Sequence, residues 1–394
     1  MKHIKAITSK SDAHRALICA ALSENECEVA MDTTSDDIEA TKRCLKNIMC
    51  GKKELYCGES GSTFRFLIPV VAALGNEVYF YPEGRLPYRP LSPLYEELQK
   101  HGCILSDKGS VPFKVKGKLE PGTYEIPGNV SSQFISGLLF ALPLLKGDSD
   151  IIVTGDIQSE DYINMTINTM EKFKVNIKKT TYGYRVKGDQ KYVSPEIYNV
   201  EGDWSNAAFF LAAGAFIEEG IKVSGLSMDS IQGDKKIVDI LKEFGARVTV
   251  EDNCVTVRPG TLKGIDIDAS QIPDMVPALA VLAVRAYGRT NIYNAGRLRI
   301  KESDRLKTVR ETIENLGGDI SELSDSLIIN GTGMLEGGSV SSHNDHRIAM
   351  MAALASLISK NKVVIKDSDA VKKSYPDFFK HMHIVELDKN LERD

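Results

Sequence analysis

No C-x-x-C pair occurs in this sequence, and its seven cysteines (Cys19, Cys27, Cys44, Cys50, Cys57, Cys103 and Cys254) form an odd set. That argues against a disulfide framework or a zinc ribbon and fits a reducing cytoplasm. Excess basic charge is missing as well: 49 Lys+Arg stand against 54 Asp+Glu, a formal net charge of −5. Nothing pulls the chain in bulk toward nucleic acid or an anionic membrane, so any anion site must come from local placement of basic residues. Long hydrophobic runs are absent too. Gly137–Leu145 and Phe209–Ile217 extend nine residues each, about half of a membrane span. Ala16–Leu22, behind Lys2, Lys5, Lys10 and Arg15, has the outline of a secretory leader, yet Ser23-Glu24-Asn25-Glu26 follows where a small-residue cleavage site belongs. The expectation is a soluble cytoplasmic protein. What is present is ordinary: 42% hydrophobic and 26% charged residues in a chain of 394, a globular balance and enough for two or three domains at about 150 residues each.

Organisation appears as a repeat. Six segments are rich in Ala, Leu and Ile and start abruptly after a polar residue: Ser11–Leu22, Ser62–Leu74, Ser132–Leu145, Ser205–Ile217, Asp274–Tyr287 and Asp345–Ile358. Their starts lie 51, 70, 73, 69 and 71 residues apart. Apolar almost all round, they read as buried helices with Ser or Asp near the N-cap. A short β-branched run follows each. A second element, the end of an amphipathic helix running into a strand, recurs at Leu98–Leu105, Met170–Ile177, Leu241–Val248 and Ile313–Ile320, with starts 72, 71 and 72 residues apart. Two independent elements keeping one period define an internal repeat. The unit is strand, buried helix, strand, amphipathic helix, hairpin, and each copy is a small helix-on-sheet module. Six modules divide into two domains of three, with a hinge expected near Tyr198–Asp203. The first module is about 20 residues short, so its hairpin around Glu54–Cys57 is expected to be trimmed.

Chemistry gathers where the buried helices open. The openings are Ser9–Arg15, Gly58–Arg65, Val130–Gln133, Gly202–Ser205, Pro273-Asp274 and Asn344–Arg347. Helix N-termini offer free N–H groups and a positive dipole end, and several of these carry Lys, Arg, Ser or Gln besides. Loops at equivalent places in successive units add Arg85–Pro90, Ser159–Tyr162, Arg299–Arg305 and Lys372–Asp377. The basic residues exceed what one phosphate needs, which suggests two anionic ligands; Arg suits a bidentate grip on phosphate or carboxylate, Lys a point charge. Asp274 and Glu302, embedded among them, are proton-transfer candidates.

These residues resemble the 5-enolpyruvylshikimate-3-phosphate (EPSP) synthase family from about Lys10 to Asp377. The matching pieces, in the family's order, are Lys10-Ser11-x3-Arg15, Gly61-Ser62-x2-Arg65, Arg89-Pro90, Ser131-Ser132-Gln133, Ser159-x2-Tyr162, Val200–Asp203, Pro273-Asp274, Lys301–Arg305 and Asn344–Arg347. The resemblance implies an α/β (α+β) fold: two domains, each of three βαβαββ repeats with buried central helices, an inside-out α/β barrel of the enolpyruvyl transferase type. The expected domains are 10–201, on the shikimate 3-phosphate side, and 1–9 with 202–394, carrying the catalytic carboxylates and the phosphoenolpyruvate clamp. It implies that Lys10, Ser11, Arg15, Ser131, Ser132, Gln133, Ser159, Tyr162, Asp274 and Lys301 hold shikimate 3-phosphate. Lys10, Gly61, Arg89, Gln133, Arg305, Arg347 and Lys373 would hold phosphoenolpyruvate. Asp274 would take the proton of the 5-hydroxyl, and Glu302 with Lys10 would protonate the enolpyruvyl methylene. No metal or organic cofactor, nucleic acid or membrane is implied, and a monomer is expected, as is inhibition by glyphosate in competition with phosphoenolpyruvate, with Ser60 and Phe64 differing from the sensitive pattern. The sequence departs from the family pattern in a short N-terminal strand, in Thr8 where Pro is common, and in Arg297 where some members supply an Asn.

Rival readings find less support in the residues. The sister transferases acting on UDP-N-acetylglucosamine would show a Lys-Asn opening and a loop cysteine. An RNA-end-processing protein of related modules would need a basic stripe, and a mere phospholigand binder would not need Asp274 and Glu302. Elsewhere the plain reading holds: His381 and His383 lack metal-ligand partners at suitable spacing, Cys57 belongs to the core or near the site, and Trp204 packs at the hinge. Ser35-Asp36-Asp37 reads as a cap and Leu387–Asp394 as a solvated end.

Overall fold

In the computed structural model, which describes residues 1–394, each apolar segment is a helix. The six run Lys10–Leu22, Gly61–Ala73, Ser132–Ala141, Trp204–Gly214, Val276–Arg285 and His346–Ser356. Four openings are capped by the residue type expected: Ser60 accepts from Thr63 N, Ser131 from Gln133 N, Asp203 from Asn206 N and Asp345 from Arg347 N. Each such cap satisfies one orphan donor, worth about 1 kcal/mol. The fifth opening departs from the expectation. Pro273–Met275 forms a 3-10 turn with no side-chain cap, so the Asp274 carboxylate is not spent on its own helix. The third helix stops at Ala141, short of Leu145, because Pro143 brings no N–H donor and the chain tightens into a 3-10 turn at Leu142–Leu144.

Four modules are complete four-stranded sheets of one topology. In the second, Glu54–Gly58 pairs parallel with Val78–Pro82, and the antiparallel hairpin Cys103–Leu105/Phe113–Gly117 inserts its later strand beside Val78–Pro82. The same order is built by Thr123–Pro127, Ser149–Thr154 and the strands Ile177–Thr180 and Gly183–Val186. The first and sixth modules have no hairpin. Glu28–Ala30 pairs parallel with Ile197–Asn199 alone, and Val363–Lys366 lies between Gly338–Ser341 and Leu391–Arg393, all parallel. Two expectations need correcting here. Glu54–Cys57 is not a trimmed hairpin of the first module but the opening strand of the second. The C-terminal end is solvated at Glu392–Asp394 but also forms a sheet strand, Leu391–Arg393; Leu387 ahead of it is buried, and the Asp394 carboxylate accepts from the Asp367 and Ser368 backbone N–H groups.

Contacts divide the chain into two units. Lys10–Val200 forms the N-terminal unit; Met1–Ser9 with Glu201–Asp394 forms the C-terminal unit. Each borrows an edge strand across the chain: Lys2–Lys5 pairs parallel with Ile221–Ser224 in the C-terminal unit, and Ile197–Asn199 with Glu28–Ala30 in the N-terminal one. Each unit has its own core, built around its three buried helices. In the N-terminal core the backbones run so close that a Cβ on Gly137 would lie 2.6 Å from the Arg65 carbonyl oxygen, and Phe66 meets Phe140 edge-on at 5.5 Å. Trp204, just past the Val200/Glu201 boundary, is fully buried in the C-terminal core, its indole N–H donating to Ser227 O at 3.2 Å. No helix is long and apolar enough to cross a membrane.

Candidate active site

In the N-terminal unit the first two helix openings carry the cations Lys10, Arg15 and Arg65, and the third carries Gln133. Arg15 is almost wholly buried, one turn into the first helix. It donates to Thr166 Oγ1 (2.9 Å), Tyr162 O (2.8 Å) and Ser11 O (2.5 Å). Its guanidinium lies 5.9 Å from the Tyr162 ring. Burial lowers its pKa to about 10, against the pull of Asp12, so it remains a cation at neutral pH. Ser159 precedes the Glu160–Lys172 helix in the left-handed region at φ 56°, a conformation that costs a non-glycine residue about 1 kcal/mol or more and gathers at working sites. These contacts bring Ser11, Arg15 and Tyr162 together.

A second knot joins the next two helices. Gln133 accepts from Arg65 Nη1 (2.8 Å) and donates to Ser62 Oγ (3.0 Å), while Arg65 Nη2 donates to Pro90 O (3.0 Å). Ser131 caps the Gln133 turn and Ser132 is buried beside it. A Cβ placed on Gly61 would sit 3.0 Å from Arg89 Nη1 and 3.2 Å from Arg65 Nη1, so both guanidinium groups converge on this glycine. Arg65 is a functional candidate that sequence reasoning left without a role. Its signal was the i, i+4 spacing from Gly61, which puts both on one helix face. Asp37 was missed outright: Ser35 caps its helix as expected, accepting from Ile38 N, but Asp37 reaches Lys10 Nζ at 2.7 Å.

The C-terminal unit is organised around Arg305, whose side chain is 1% exposed. Its Nη1 donates to Asp274 (2.6 Å), its Nη2 to Glu302 (2.6 Å) and its Nε to Asp345 (2.8 Å). Lys301 Nζ also reaches Asp274, at 3.2 Å. Asp345 takes Ser303 Oγ at 2.9 Å as well, which fixes the Lys301–Asp304 turn against the sixth helix opening. Burial alone would push the Asp274 carboxyl up, but Lys301, Arg305 and Arg347 outweigh it and hold the group well below the usual carboxylate range. Burial lowers the Lys301 ammonium, with Asp274 opposing. Asp274 is therefore an ionised acceptor, as a base must be, with Glu302 on the same guanidinium. Arg347 donates to Ser205 O (2.9 Å) and Ser205 Oγ (2.6 Å). Lys373 Nζ, on the surface, donates to Asn344 O at 2.6 Å beside the same opening. Arg297 adds positive charge near Lys301.

The residues expected to carry no chemistry are accounted for by ordinary contacts. His381 bonds Tyr375 Oη and His383 bonds Asp388. Cys57 is fully buried, its thiol pushed well up by that burial.

Two units of helix-on-sheet modules with cation-bearing helix openings define an enolpyruvyl transferase fold. The chain superposes on EPSP synthase from Acinetobacter baumannii with a TM-score of 0.80 at 25% identity, covering 97% of this chain and 94% of that one. It also superposes on the enolpyruvyl transferase NikO from Streptomyces tendae, TM-score 0.77 at 15% identity, over 98% and 94% of the two chains. Sequence comparison narrows the class. Residues 41–382 match the family model for EPSP synthase (3-phosphoshikimate 1-carboxyvinyltransferase). The chain is 43% identical to the 3-phosphoshikimate 1-carboxyvinyltransferase of Clostridium kluyveri, over 95% of this chain and 93% of that protein. It is 44% identical to that of Clostridium perfringens strain 13, over 95% and 94%. The chain belongs to the EPSP synthase family.

Proposed function

We propose that the two clusters serve one reaction, the N-terminal unit gripping anions and the C-terminal unit moving protons and helping to clamp phosphoenolpyruvate. As a member of this family the chain is a 3-phosphoshikimate 1-carboxyvinyltransferase: it joins the enolpyruvyl group of phosphoenolpyruvate to the 5-hydroxyl of shikimate 3-phosphate and releases phosphate, a step of the shikimate pathway. In our reading, Lys10, Ser11, Arg15, Ser131, Ser132, Gln133, Ser159 and Tyr162, with Asp274 and Lys301, hold shikimate 3-phosphate. Lys10, Gly61, Arg89, Gln133, Arg305, Arg347 and Lys373 hold phosphoenolpyruvate. Asp274 takes the 5-hydroxyl proton as that oxygen bonds to C2 of phosphoenolpyruvate, and Glu302 with Lys10 delivers a proton to C3. Loss of a C3 proton and of phosphate from the resulting adduct gives the enol ether, and the fixed cations stabilise the departing charge.

The observation that carries this reading is the sharing of Arg305, which presents Asp274 and Glu302 side by side at 2.6 Å each. Asp274 is a weak base while Lys301 and Arg305 face it. Substrate anions that take up those cations strengthen it as the reactants assemble. We further propose that the enzyme works as a cytoplasmic monomer without metal or organic cofactor. The test is incubation with both substrates and no added divalent ion, following phosphate and product mass together. Equal amounts of phosphate and enolpyruvyl ether are expected; strict dependence on a divalent ion, or turnover of UDP-N-acetylglucosamine instead, would overturn the reading.

A further inference from the structure

Arg299 belongs to the basic loop ahead of Lys301, in the 3-10 turn Gly296–Ile300, yet its donors are turned toward the protein rather than toward a ligand. Nη1 donates to Glu322 (2.6 Å) and to the Asp304 carboxylate (3.1 Å to the nearer oxygen). Nη2 donates to Leu323 O (2.7 Å) and Nε to Ser324 O (3.0 Å). A guanidinium has five N–H groups in a fixed fork, so these partners leave it a single orientation. The side chain is 31% exposed, and a lone ion pair at that depth is worth little by itself.

What sets Arg299 apart is where its partners stand. Arg299 and Asp304 flank residues 300–303, and their contact closes that segment at its base. Within it Lys301 reaches Asp274 (3.2 Å), Glu302 accepts from Arg305 Nη2 (2.6 Å) and Ser303 donates to Asp345 (2.9 Å). Three successive side chains thus enter the charged cluster from one short loop. Asp304 also accepts from Lys307 N at 3.2 Å as the N-cap of Arg305–Asn315, so the same carboxylate joins the loop to the helix that begins with Arg305. Leu323 and Ser324 lie in the turn between the strands Asp319–Glu322 and Leu327–Gly331, and Glu322 accepts from Arg310 Nε on the helix at 3.0 Å. One guanidinium therefore fastens loop, helix and hairpin together.

We propose that Arg299 is a positioning residue: by closing residues 300–303 on Asp304 and bolting them to the hairpin turn, it sets the place from which Glu302 meets the reactants. This rests on the reading of Glu302 as a proton donor. Rate is sensitive to such placement, since an error of about 1 Å in a reacting group costs on the order of 100-fold. Two other roles predict different kinetics. Loss of a phosphoenolpyruvate ligand raises KM for that substrate. Loss of a mere brace lowers the amount of folded enzyme but leaves the rate per folded molecule, and its dependence on Glu302, as they were.

The experiment measures steady-state kinetics for the intact enzyme, Arg299→Ala, Arg299→Lys, Glu302→Gln and the double variant Arg299→Ala/Glu302→Gln, at a temperature where thermal melts show each one folded. Arg299→Ala should lower kcat roughly 10- to 100-fold with KM for phosphoenolpyruvate held within about three-fold. Arg299→Lys should fall between, because an ammonium keeps the charge but does not span two carboxylates and two carbonyls. In the Glu302→Gln background the Ala change should cost less than about three-fold, because a loop without its proton donor has little left to misplace. Millimolar guanidinium ion, entering from the exposed side, should restore part of kcat to Arg299→Ala and none to Glu302→Gln. A kcat for Arg299→Ala within about three-fold of wild type, or an equal loss in both Glu302 backgrounds, overturns the positioning role. A raised KM for phosphoenolpyruvate with kcat retained makes Arg299 a ligand and overturns it as well. A wild-type kcat in Glu302→Gln removes the proton-donor reading and the proposal with it. Should Arg299→Ala fail to fold, Arg299→Lys, alone and with Glu302→Gln, decides by the same criteria.

Discussion

The two units meet the same problem, buried cations at helix openings, with opposite partners. In the N-terminal unit Arg15 rests on a hydroxyl and two carbonyl oxygens, and Arg65 on a side-chain amide and a carbonyl. Neutral acceptors orient a guanidinium without cancelling its charge, and for Arg15 the opposing charge is that of Asp12. In the C-terminal unit Arg305 is shared by Asp274, Glu302 and Asp345. Around Arg305 the charges are mutually compensated, and what that arrangement offers is carboxylates held in place, while Arg347 in the same unit donates to the neutral oxygens of Ser205. Anion capture needs the first solution and proton transfer needs the second. Lys10 forms an ion pair with Asp37, which fits a residue assigned to both tasks.

The comparison is broken most severely by removing a C-terminal carboxylate. Asp274→Asn should lower kcat about 100-fold or more, with Glu302→Gln close behind, the usual span for a lost acid–base group. Asp274→Asn should also cost stability, because it leaves Lys301 and Arg305 short of an anion. Its side chain is 21% exposed, so about 1–2 kcal/mol is expected rather than the larger cost of breaking a fully buried pair. The pH dependence has a definite sign. The folded pKa lies well below the ordinary aspartate value of 3.8, so the contribution is present above that value and lost as pH falls through the folded pKa. Thermal melts of the variant should therefore decline less steeply than wild type below about pH 4. A wild-type kcat in Asp274→Asn would remove its role as base.

An N-terminal change should instead act on binding. Arg15→Lys keeps the charge and loses the fork that spans Thr166, Tyr162 and Ser11. It should weaken shikimate 3-phosphate roughly 10- to 100-fold by calorimetry, with a much smaller effect on kcat. A drop in kcat with unchanged affinity would show that the division between the units is wrong. Gly61→Ala is milder. The new methyl would press on the tips of two flexible guanidinium groups at 3.0 and 3.2 Å, and these can yield. About 1 kcal/mol is expected, read as a several-fold rise in KM for phosphoenolpyruvate and in the inhibition constant of glyphosate. Constants unchanged by the methyl would separate this opening from the phosphoenolpyruvate site.

Much of this was legible in the chain. The repeat could be read because a helix buried on every side must be apolar on every side, and six such helices at one period leave few folds open. The openings could be read because Lys, Arg and Ser clustered at helix starts have little structural use. What escaped depended on pairing between distant segments. Glu54–Cys57 looked like the tail of one module because its alternation is that of any strand; only its partner Val78–Pro82 assigns it to the next. Asp37 looked like a first-turn acid, a common helix feature, and nothing in its neighbours announces Lys10. Asp274 matched the Ser and Asp of the other openings by position, yet Pro273 turns the backbone there and frees the carboxylate.

The smallest predicted effect probes how the N-terminal unit keeps its charge uncancelled. His14 lies between Lys10 and Arg15 on the first helix and is fully buried. Its Nδ1 bonds Thr41 Oγ1 at 2.7 Å, Thr41 meets Thr63 Oγ1 at 2.6 Å, and Thr63 donates to Ser60 Oγ at 2.7 Å, the cap beside Gly61. A neutral imidazole suits this chain of hydroxyls, whereas an imidazolium would add a third cation to the helix. Burial, then Lys10 and Arg15, lower its pKa well below 6.5. The unfolded chain takes up a proton there as pH falls below about 6.5 and the folded one does not, so stability is lost in that direction until the folded pKa is reached. The loss from one such group cannot exceed about 1.4 kcal/mol per pH unit. His14→Asn can still bond Thr41 but cannot titrate. Its melting temperature should consequently fall less than that of wild type between pH 7 and pH 5, even if it starts lower. Parallel declines for the two proteins would mean that His14 carries a proton in the folded state, and that this opening tolerates a third charge after all.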